Sequence, residues 1–196
     1  MSLESLKKYN YILASKSPRR KFLLSLLGLP FESFNPNINE DHKYGNPVKL
    51  AKKLAEDKAE VANKIFKDKI IISADTIVVL NDKIFGKPKN KKDARLMLET
   101  LSEKTHIVYT AICVINQLKN KKLIDIEKTN VTFRNLSRRE IDEYVKKGSC
   151  MDKAGAYGIQ DDLGAVFVSK IKGCYYNVVG LPIQKLYLML QEITKN

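Results

Sequence analysis

A chain of 196 residues can bury a sizeable core, and its composition of 44% hydrophobic and 29% charged residues excludes an intrinsically disordered protein. Its formal net charge of +13 would attract nucleic acid, an anionic membrane surface or a phosphorylated small molecule. Much of the excess lysine stands beside turn residues, as in Lys89-Asn90-Lys91-Lys92, so charge alone does not choose among these partners.

The cysteines favour a reducing compartment. Cys113, Cys150 and Cys174 are odd in number and far apart, which predicts neither a disulfide framework nor a zinc site. Pro18-Arg19-Arg20-Lys21 is similar to a twin-arginine export signal, but a predicted strand precedes it and no small-residue cleavage site follows. No run approaches the roughly 18 apolar residues that span a bilayer. We therefore predict a cytoplasmic protein.

The first half of the chain alternates between strand and helix signals. In order, it predicts a strand from Tyr11 to Ala14, a helix from Ser17-Pro18 to Gly28, a strand from Phe31 to Phe34 and a helix opened by Asn46-Pro47. This second helix carries an apolar stripe at helical spacing, formed by Ala51, Leu54, Ala55, Ala62 and Ile65. Strand-like runs then stand on either side of Ser73-Ala74-Asp75-Thr76, and Asn81-Asp82 turns the chain into a further short run.

The second half mixes strands and helices without strict repetition. The patterns predict a helix over about 91–101, an antiparallel pair of strands over 106–115 and 124–133, a helix from the capping box at Ser137 to Gly148, a strand over 165–171 and a final helix after Pro182. No repeat or linker divides the chain. We therefore predict a single domain over residues 1–196, of the α/β class, with a mixed sheet flanked by helices.

The strongest local signal for chemistry is Ser15-Lys16-Ser17-Pro18-Arg19-Arg20. A strand ends there and a helix begins, and free backbone N–H groups together with the helix dipole favour an anion. Arginines in the first turn of a helix cost about 0.3–1 kcal/mol each, which favours a function that offsets the cost. The motif indicates phosphate binding, with a plain capping serine and solvated arginines as the alternative.

Asp75 and Lys58 are charged residues at apolar positions. Asp75 interrupts a β run, where a buried carboxylate is costly unless it is paired or bound to a metal, and it is a candidate metal ligand or general base. The alternative is an aspartate that caps a turn. Lys58 lies on the apolar face of its helix, four residues after Leu54, and either extends to the surface or reaches a functional cleft.

Several polar positions carry weaker signals. Lys87 follows a short strand in Phe85-Gly86-Lys87-Pro88, and Glu40 lies in a polar loop; each is an ordinary surface residue if taken alone. The glycine-rich stretch from Asp152 to Gln160 permits close backbone approach to a ligand, and the Gln160 amide is suited to reading the edge of a base. His106 before a β run indicates a hydrogen-bonded structural histidine.

Taken together, these motifs resemble the Maf family of nucleoside triphosphate pyrophosphatases. The resemblance extends in order over nearly the whole chain and covers the following segments: Leu13 to Arg20, Ser73 to Val78, Gly86-Lys87-Pro88, Thr105 to Thr110, Asp152 to Gln160 and Tyr176 to Pro182. It implies a Maf-like fold, related to that of inosine triphosphatases, with two lobes around a nucleotide cleft. It also implies hydrolysis of a nucleoside triphosphate to the monophosphate and pyrophosphate with Mg²⁺ or Mn²⁺, and a homodimer in many members.

The resemblance assigns roles residue by residue. Ser15, Arg19 and Arg20 match the phosphate-binding motif, Lys58, Lys87 and Glu40 match further active-site positions, and Asp75 matches the general base. Glu40 is the expected metal partner of Asp75. The form of the glycine-rich stretch, with Arg19, Thr76 and Gln160, resembles the subgroup that acts on dTTP and UTP.

The chain departs from the family pattern at Glu103 and Asp161-Asp162, where glycine is frequent, and at Lys16, whose charge could assist phosphate binding. The departure after Gln160 puts the geometry beside the base pocket in doubt. Two rival functions remain: the same reaction on modified nucleotides, and nucleic-acid binding without catalysis, for which the chain lacks a recognised motif. We expect no stable nucleic-acid partner and no membrane association.

Overall fold

The computed structural model describes residues 2–38 and 45–195. The helices are α1 (Leu3–Leu6), α2 (Pro18–Ser25), α3 (Pro47–Ile65), α4 (Lys91–Leu101), α5 (Arg138–Lys147), α6 (Asp162–Phe167), α7 (Tyr175–Val179) and α8 (Ile183–Thr194). The strands are β1 (Tyr11–Ala14), β2 (Phe31–Phe34), β3 (Ile70–Leu80), β4 (Lys83–Phe85), β5 (Thr105–Asn116), β6 (Lys121–Phe133) and β7 (Val168–Lys172). Among these described residues, no helix combines the length and apolar character needed to cross a membrane.

The strands form a seven-stranded mixed sheet in the order β2-β1-β3-β5-β6-β7, with β4 paired to β3. β1 is parallel to both β2 and β3, whereas β4 is antiparallel to β3 and β7 is antiparallel to β6. The prediction of an α/β fold with a mixed sheet flanked by helices is confirmed.

Contacts within the chain define two compact units. The first unit comprises the described residues of Met1–Asp75, Thr110–Glu127 and Gly180–Asn196, and the second comprises Thr76–Tyr109 and Lys128–Val179. β3, β5 and β6 contribute residues to both units. The assignment of the whole chain to a single domain stays a prediction.

The first unit is built on the parallel strands β2, β1 and the beginning of β3. Leu13 lies opposite Ile72 in the register of β1 and β3, and all of β1 is buried. α3 begins at the Asn46 cap, as predicted, and packs against β1. The Ser73 hydroxyl donates to the Ala55 carbonyl of α3 at 2.5 Å, so the helix is also tied to β3.

The order of these strands creates a topological switch point. The chain passes from β1 to β2 on one side, and α3 then returns it to β3 on the other side of β1. Right-handed crossovers, the rule for such connections, place α2 and α3 on opposite faces of the strands. Open α/β sheets bind ligands outside the carboxyl ends of the strands at such a point, here the ends of β1 and of the first part of β3.

The second unit has its own hydrophobic core. Its buried apolar side chains come mainly from α4 and α5, with others from the strands and the glycine-rich stretch, and they include Phe85, Leu98, Ile141 and Tyr144. The Phe133 ring makes edge contacts with Tyr157 at 4.7 Å and with Phe167 at 6.0 Å between ring centroids. These aromatic rings supply much of the volume that holds this unit together.

Three predicted details are wrong. Ser73 to Thr76 does not break the sheet, because β3 continues through it and partners satisfy the Ser73 and Asp75 side chains. Ile65 is not part of the buried stripe: it is the last residue of α3 and is 57% exposed. The strand predicted over 165–171 begins only at Val168, because Ala165 N–H donates to the Asp161 carbonyl in α6. Short apolar runs of this kind fit either structure.

Candidate active site

The turn after β1 holds the predicted phosphate-binding residues in a connected arrangement. Ser15 N–H donates to the Leu13 carbonyl at 2.8 Å, and the Ser15 hydroxyl accepts from Ser17 N–H at 3.2 Å. Ser17 caps α2 by accepting from Arg20 N–H at 3.5 Å, as predicted. Ser15 is buried, whereas Lys16 is exposed. The tight turn therefore directs the amino terminus of α2 at the carboxyl end of β1.

Arg20 is fixed in this turn from two directions. Its Nε donates to the Gly180 carbonyl at 2.8 Å, and its Nη1 donates to the Ser15 hydroxyl at 3.4 Å. Gly180 belongs to the segment before α8, so a distant part of the first unit orients this guanidinium. Arg19 is half-buried in the same first helical turn. A guanidinium held in this way is pre-organised to donate to phosphate oxygens.

Asp75 and Lys58 form a buried ion pair. The Lys58 Nζ lies 2.6 Å from Asp75 Oδ1, and each side chain is 10% exposed. Lys58 lies on the buried face of α3, as its spacing predicted, and it reaches across to β3 instead of extending to the surface. A buried carboxylate needs such a partner.

The ion pair and the phosphate turn share the switch point of the first unit. Ile72 of β3 lies opposite Leu13 of β1. Three positions later β3 has reached Asp75, while the other segment has left β1 and entered the turn at Lys16. The Ser15–Arg20 turn therefore follows the carboxyl end of β1, and Asp75 lies inside β3, just beyond the pairing of the two strands. The fold brings together Ser15, Arg20, Lys58 and Asp75 on this side of the first unit.

The remaining residues predicted to bind substrate belong to the second unit. Thr76 follows Asp75 and is half-buried, while Lys87 and Gln160 are exposed. Gly155 N–H donates to the Gly86 carbonyl at 3.0 Å, so the segment with Lys87 is tied to the glycine-rich stretch. Glu40 lies outside the described residues.

His106 is a structural histidine, as predicted. It is fully buried, its Nε2 is 2.8 Å from the Tyr157 hydroxyl, and its ring contacts Phe133 edge-on. Burial lowers the pKa of His106 to about 4, so the imidazole is neutral at physiological pH. A neutral ring enclosed by aromatic side chains packs the core of the second unit.

No group of three or more histidine, cysteine or acidic side chains suited to hold a metal occurs within residues 2–38 and 45–195. The three cysteines make no disulfide and are free thiols. A surface groove of about 500 Å³ does occur in the second unit, lined by Lys91, Arg95, Arg139, Asp142, Glu143 and Lys146. None of the predicted site residues lines it, so it does not compete with the switch point for the assignment of the active site.

Comparison with known proteins identifies the family of the chain. The family model described as "Maf-like protein" matches residues 10–193. The chain belongs to the Maf family. A dTTP/UTP pyrophosphatase of Aquifex aeolicus is 50% identical over 182 residues, which is 93% of this chain and 94% of that protein. A dTTP/UTP pyrophosphatase of Syntrophomonas wolfei is 48% identical over 179 residues, 91% of this chain and 94% of its own length.

Glu103 is one of the positions where the chain departs from the family pattern. Its backbone φ is +61°, in the left-handed region, and its N–H donates to the Arg134 carbonyl at 3.1 Å. Glycine adopts this conformation at no steric cost, so a glycine would suit this position. Glu103 is therefore a residue of a turn in the second unit.

Sequence reasoning missed residues that organise the glycine-rich stretch. Tyr144, Lys153 and Asp161 form a polar network around it, although Tyr144 and Asp161 are 17 positions apart. Asn177 is a second case: its buried amide donates to the Val108 carbonyl at 3.0 Å and to Thr129 Oγ1 at 2.8 Å. Asn177 could have been found from the sequence, because it lies inside the segment from Tyr176 to Pro182 that carries the family resemblance. No local sequence pattern marked Tyr144.

Proposed function

We propose that this Maf protein hydrolyses dTTP and UTP to the nucleoside monophosphate and pyrophosphate. The observation that carries the proposal is the buried Lys58–Asp75 pair, which stands at the same switch point as the Ser15–Arg20 phosphate turn. The names of the relatives, dTTP/UTP pyrophosphatases at 48–50% identity over nine-tenths of the chain, support the choice of substrates.

The triphosphate is bound by donors and positive charge. Ser15, Arg19 and Arg20 supply the hydroxyl, the guanidinium groups and the start of α2, and Lys58 and Lys87 supply further charge in this proposal. Phosphoryl transfer depends mainly on positioning and electrostatic stabilisation, since there is little covalent chemistry for the protein to perform. Arg20 is well suited to this role because its two hydrogen bonds fix the guanidinium before the substrate arrives.

Asp75 prepares the nucleophile. Its carboxylate accepts the proton of a water molecule that attacks the α-phosphorus, and pyrophosphate leaves with the electrons of the broken P–O bond. Lys58 holds the carboxylate through Oδ1. Oδ2 is the second acceptor of the same carboxylate. The alternative role of Asp75, as a ligand of a divalent cation, uses the same oxygen atoms.

The donor set fits Mg²⁺ or Mn²⁺. These ions prefer oxygen ligands and are commonly held by one or two carboxylates together with substrate phosphates, so a single described carboxylate at the site is sufficient on the protein side. In this proposal Asp75 and Glu40 hold the ion. When bound, it neutralises charge on the phosphate oxygens. The protein's own part is to keep the Asp75 side chain in place, through the hydrogen bond from Lys58.

The base is recognised by Gln160 and Thr76. Thymine and uracil present alternating carbonyl and N–H groups, and the amide of a glutamine can donate to one and accept from the other. A site built on such bonds rejects bases that leave its polar groups unpaired. A homodimer, a cytoplasmic location and the absence of a nucleic-acid partner stay predictions.

The test is pyrophosphate release from a panel of normal and modified nucleoside triphosphates with Mg²⁺ or Mn²⁺. We expect turnover of dTTP and UTP above the other nucleotides, and a decrease of at least about a hundredfold in kcat for Asp75→Asn. The matched control is Asp57→Asn, which changes an aspartate paired with Lys53 on α3 and should keep full activity.

Different outcomes separate the rival functions. Preference for a modified nucleotide would move the proposal to that substrate and keep the reaction. If the folded protein released pyrophosphate from none of the nucleotides but bound DNA or RNA in a salt-sensitive way, nucleic-acid binding would replace hydrolysis as the proposed function. If the Asp75→Asn variant kept full activity, Asp75 would be neither the proton acceptor nor an essential metal ligand.

A further inference from the structure

The turn that carries Gln160 has a defined geometry. Asp161 N–H donates to the Gly158 carbonyl at 3.0 Å, which closes a turn over residues 158–161. Ile159 is buried in this turn, whereas Gln160 is exposed. The direction of the Gln160 side chain therefore depends on what holds the two ends of the turn.

One hydroxyl group contacts both ends. The Tyr144 hydroxyl accepts from Gly158 N–H at 3.0 Å and donates to Asp161 Oδ2 at 2.7 Å. Tyr144 lies on α5, is fully buried, and packs edge-on against Phe167 at 5.2 Å between centroids. Burial, and then the hydrogen bond to Asp161, raises the pKa of Tyr144, so the hydroxyl keeps the proton that it donates.

The Asp161 side chain accepts the hydrogen bond from Tyr144 instead of capping its own helix. Asp161 is the N-cap residue of α6, and an aspartate in that position ordinarily accepts from backbone N–H groups of its helix. Here its side chain makes no capping bond. It contacts Tyr144 instead, and its Oδ2 lies 3.1 Å from the Nζ of buried Lys153. Lys153 is also 2.8 Å from Asp152 Oδ1, so the charges in the network are paired.

The turn fits closely against this network. A Cβ atom on Gly158 would lie 2.5 Å from Lys153 Cε and 2.6 Å from Asp161 Oδ2. Real Cβ atoms do not approach other atoms so closely, so any side chain at this position would push the network apart. The backbone of the turn is thus fixed by hydrogen bonds at its ends and by packing at Gly158.

We propose that Tyr144 and Asp161 are positioning residues that clamp the 158–161 turn and so set the direction in which Gln160 presents its amide to the base. This inference rests on the proposed function, because it names what fixes the base-reading residue. An amide distinguishes a ring carbonyl from an amino group only if its own oxygen and nitrogen point in a constant direction.

The first measurement concerns the clamp alone and needs no activity. Tyr144→Phe removes the hydroxyl and keeps the ring, so the packing against Phe167 is preserved. We expect amide hydrogen exchange over residues 158–161 to become about tenfold faster, as for the loss of one to two hydrogen bonds. Asp161→Asn, which loses the charge that faces Lys153, should change exchange in the same direction. Tyr187→Phe is the control, because the Tyr187 hydroxyl also accepts a hydrogen bond, from Gln191, outside this network.

The second measurement asks whether the clamp acts through Gln160. In Tyr144→Phe we expect the KM for dTTP to rise about tenfold with kcat nearly unchanged, and the preference for dTTP over dCTP to fall by a similar factor. In a Gln160→Ala background the same substitution should change that preference less than about twofold, since the residue that it positions is gone. Equal effects in the two backgrounds would show a general structural role and would overturn the inference.

The outcomes distinguish the inference from the proposed function. Unchanged exchange in Tyr144→Phe and Asp161→Asn refutes the clamp, whatever the enzyme does. A wild-type protein without turnover of any nucleotide refutes the proposed function and the base-reading role, while the exchange data still decide the clamp. Unchanged dTTP preference in a variant with fast exchange also overturns the inference.

Discussion

The two compact units use polar groups in different ways. In the first unit, full charges stand beside the parallel strands β1 and β3: the Lys58–Asp75 pair is buried, and Arg20 is held by the Gly180 carbonyl. In the second unit, the important polar groups are a neutral histidine and a phenol, His106 and Tyr144, enclosed by aromatic rings. The first unit thus concentrates buried and oriented charge, whereas the second encloses neutral polar groups in an aromatic core.

The comparison predicts that the first unit is most sensitive to loss of charge. Lys58→Met leaves the Asp75 carboxylate buried without its ammonium partner. We expect the free energy of unfolding to fall by about 3–5 kcal/mol, measured by urea denaturation at pH 7. Lys53→Met breaks a pair with Asp57 on the same helix, but that pair is partly exposed, so its loss should cost less than about 1 kcal/mol.

A double variant, Lys58→Met with Asp75→Asn, should recover part of the stability because it removes the buried charge as well as its partner. If the single and double variants are equally unstable, the unpaired Asp75 charge does not cause the loss of unfolding free energy. The first unit would then not be especially sensitive to loss of charge.

Arg20→Lys tests the geometry of the phosphate turn. A lysine keeps the positive charge but cannot donate to Gly180 and Ser15 while also reaching a phosphate. We expect kcat/KM for dTTP to fall about a hundredfold, or about 3 kcal/mol in transition-state stabilisation. Arg138→Lys, at an exposed arginine in the first turn of α5, is the control. A change of less than about threefold for Arg20→Lys would mean that charge alone suffices.

The second unit should be sensitive to protonation of its core. The folded-state pKa of His106, about 4, lies below the ordinary value of 6.5, so the unfolded chain binds the proton more readily. The contribution of neutral His106 to stability is present above about pH 6.5 and is lost as the pH falls toward 4. Between pH 7 and pH 5 the loss is about 2 kcal/mol.

The measurement compares the pH dependence of unfolding free energy in wild type and His106→Gln. Carboxylates titrate in both proteins, so the difference between the two curves isolates the histidine. Parallel curves over this range would show that His106 does not titrate differently in the folded and unfolded states.

The smallest effect is expected from the helix cap at the start of α5. Ser137 and Glu140 form a capping box at the start of α5, with the Ser137 hydroxyl accepting from Glu140 N–H at 3.3 Å. Ser137→Ala should lower the unfolding free energy by about 1 kcal/mol, with kcat/KM unchanged. Ser137→Asn retains a capping side chain and should restore most of this stability. A large loss of activity in Ser137→Ala would couple α5 to catalysis beyond what the Tyr144 clamp requires.

Much of the fold could be predicted because its signals are local. Proline after a capping residue, glycine at a helix end and apolar periodicity located α2, α3, α4 and α8, although α2 ends at Ser25, before the glycine predicted to stop it. The same spacing placed Lys58 on a buried face. The failures, at Ile65 and at 165–171, fall at the end of a helix and in a short apolar run, where tertiary contacts decide between alternatives.

The candidate site also has a part that local sequence predicts and a part that depends on tertiary contacts. The Ser15–Arg20 turn is continuous in sequence, so the chemistry of a helix terminus, together with the serines and arginines of the motif, was enough to predict a phosphate-binding role for it. The partner of Asp75 was not predictable from position alone, because Lys58 is 17 residues away and lysines on helices more often extend to solvent. The predicted role of Glu40 lies outside the described residues and stays a prediction.

By itself, the sequence determined the elements, the Maf resemblance and the residue types available for phosphate chemistry, since these depend on local conformational preferences and on residue order. Only the tertiary structure decided that Lys58 neutralises Asp75, that Gly180 orients Arg20, and that one buried hydroxyl, on Tyr144, holds both ends of the Gln160 turn. These contacts join residues far apart in the chain, and their strength comes from burial, which strengthens each paired charge or hydrogen bond and penalises each unpaired one.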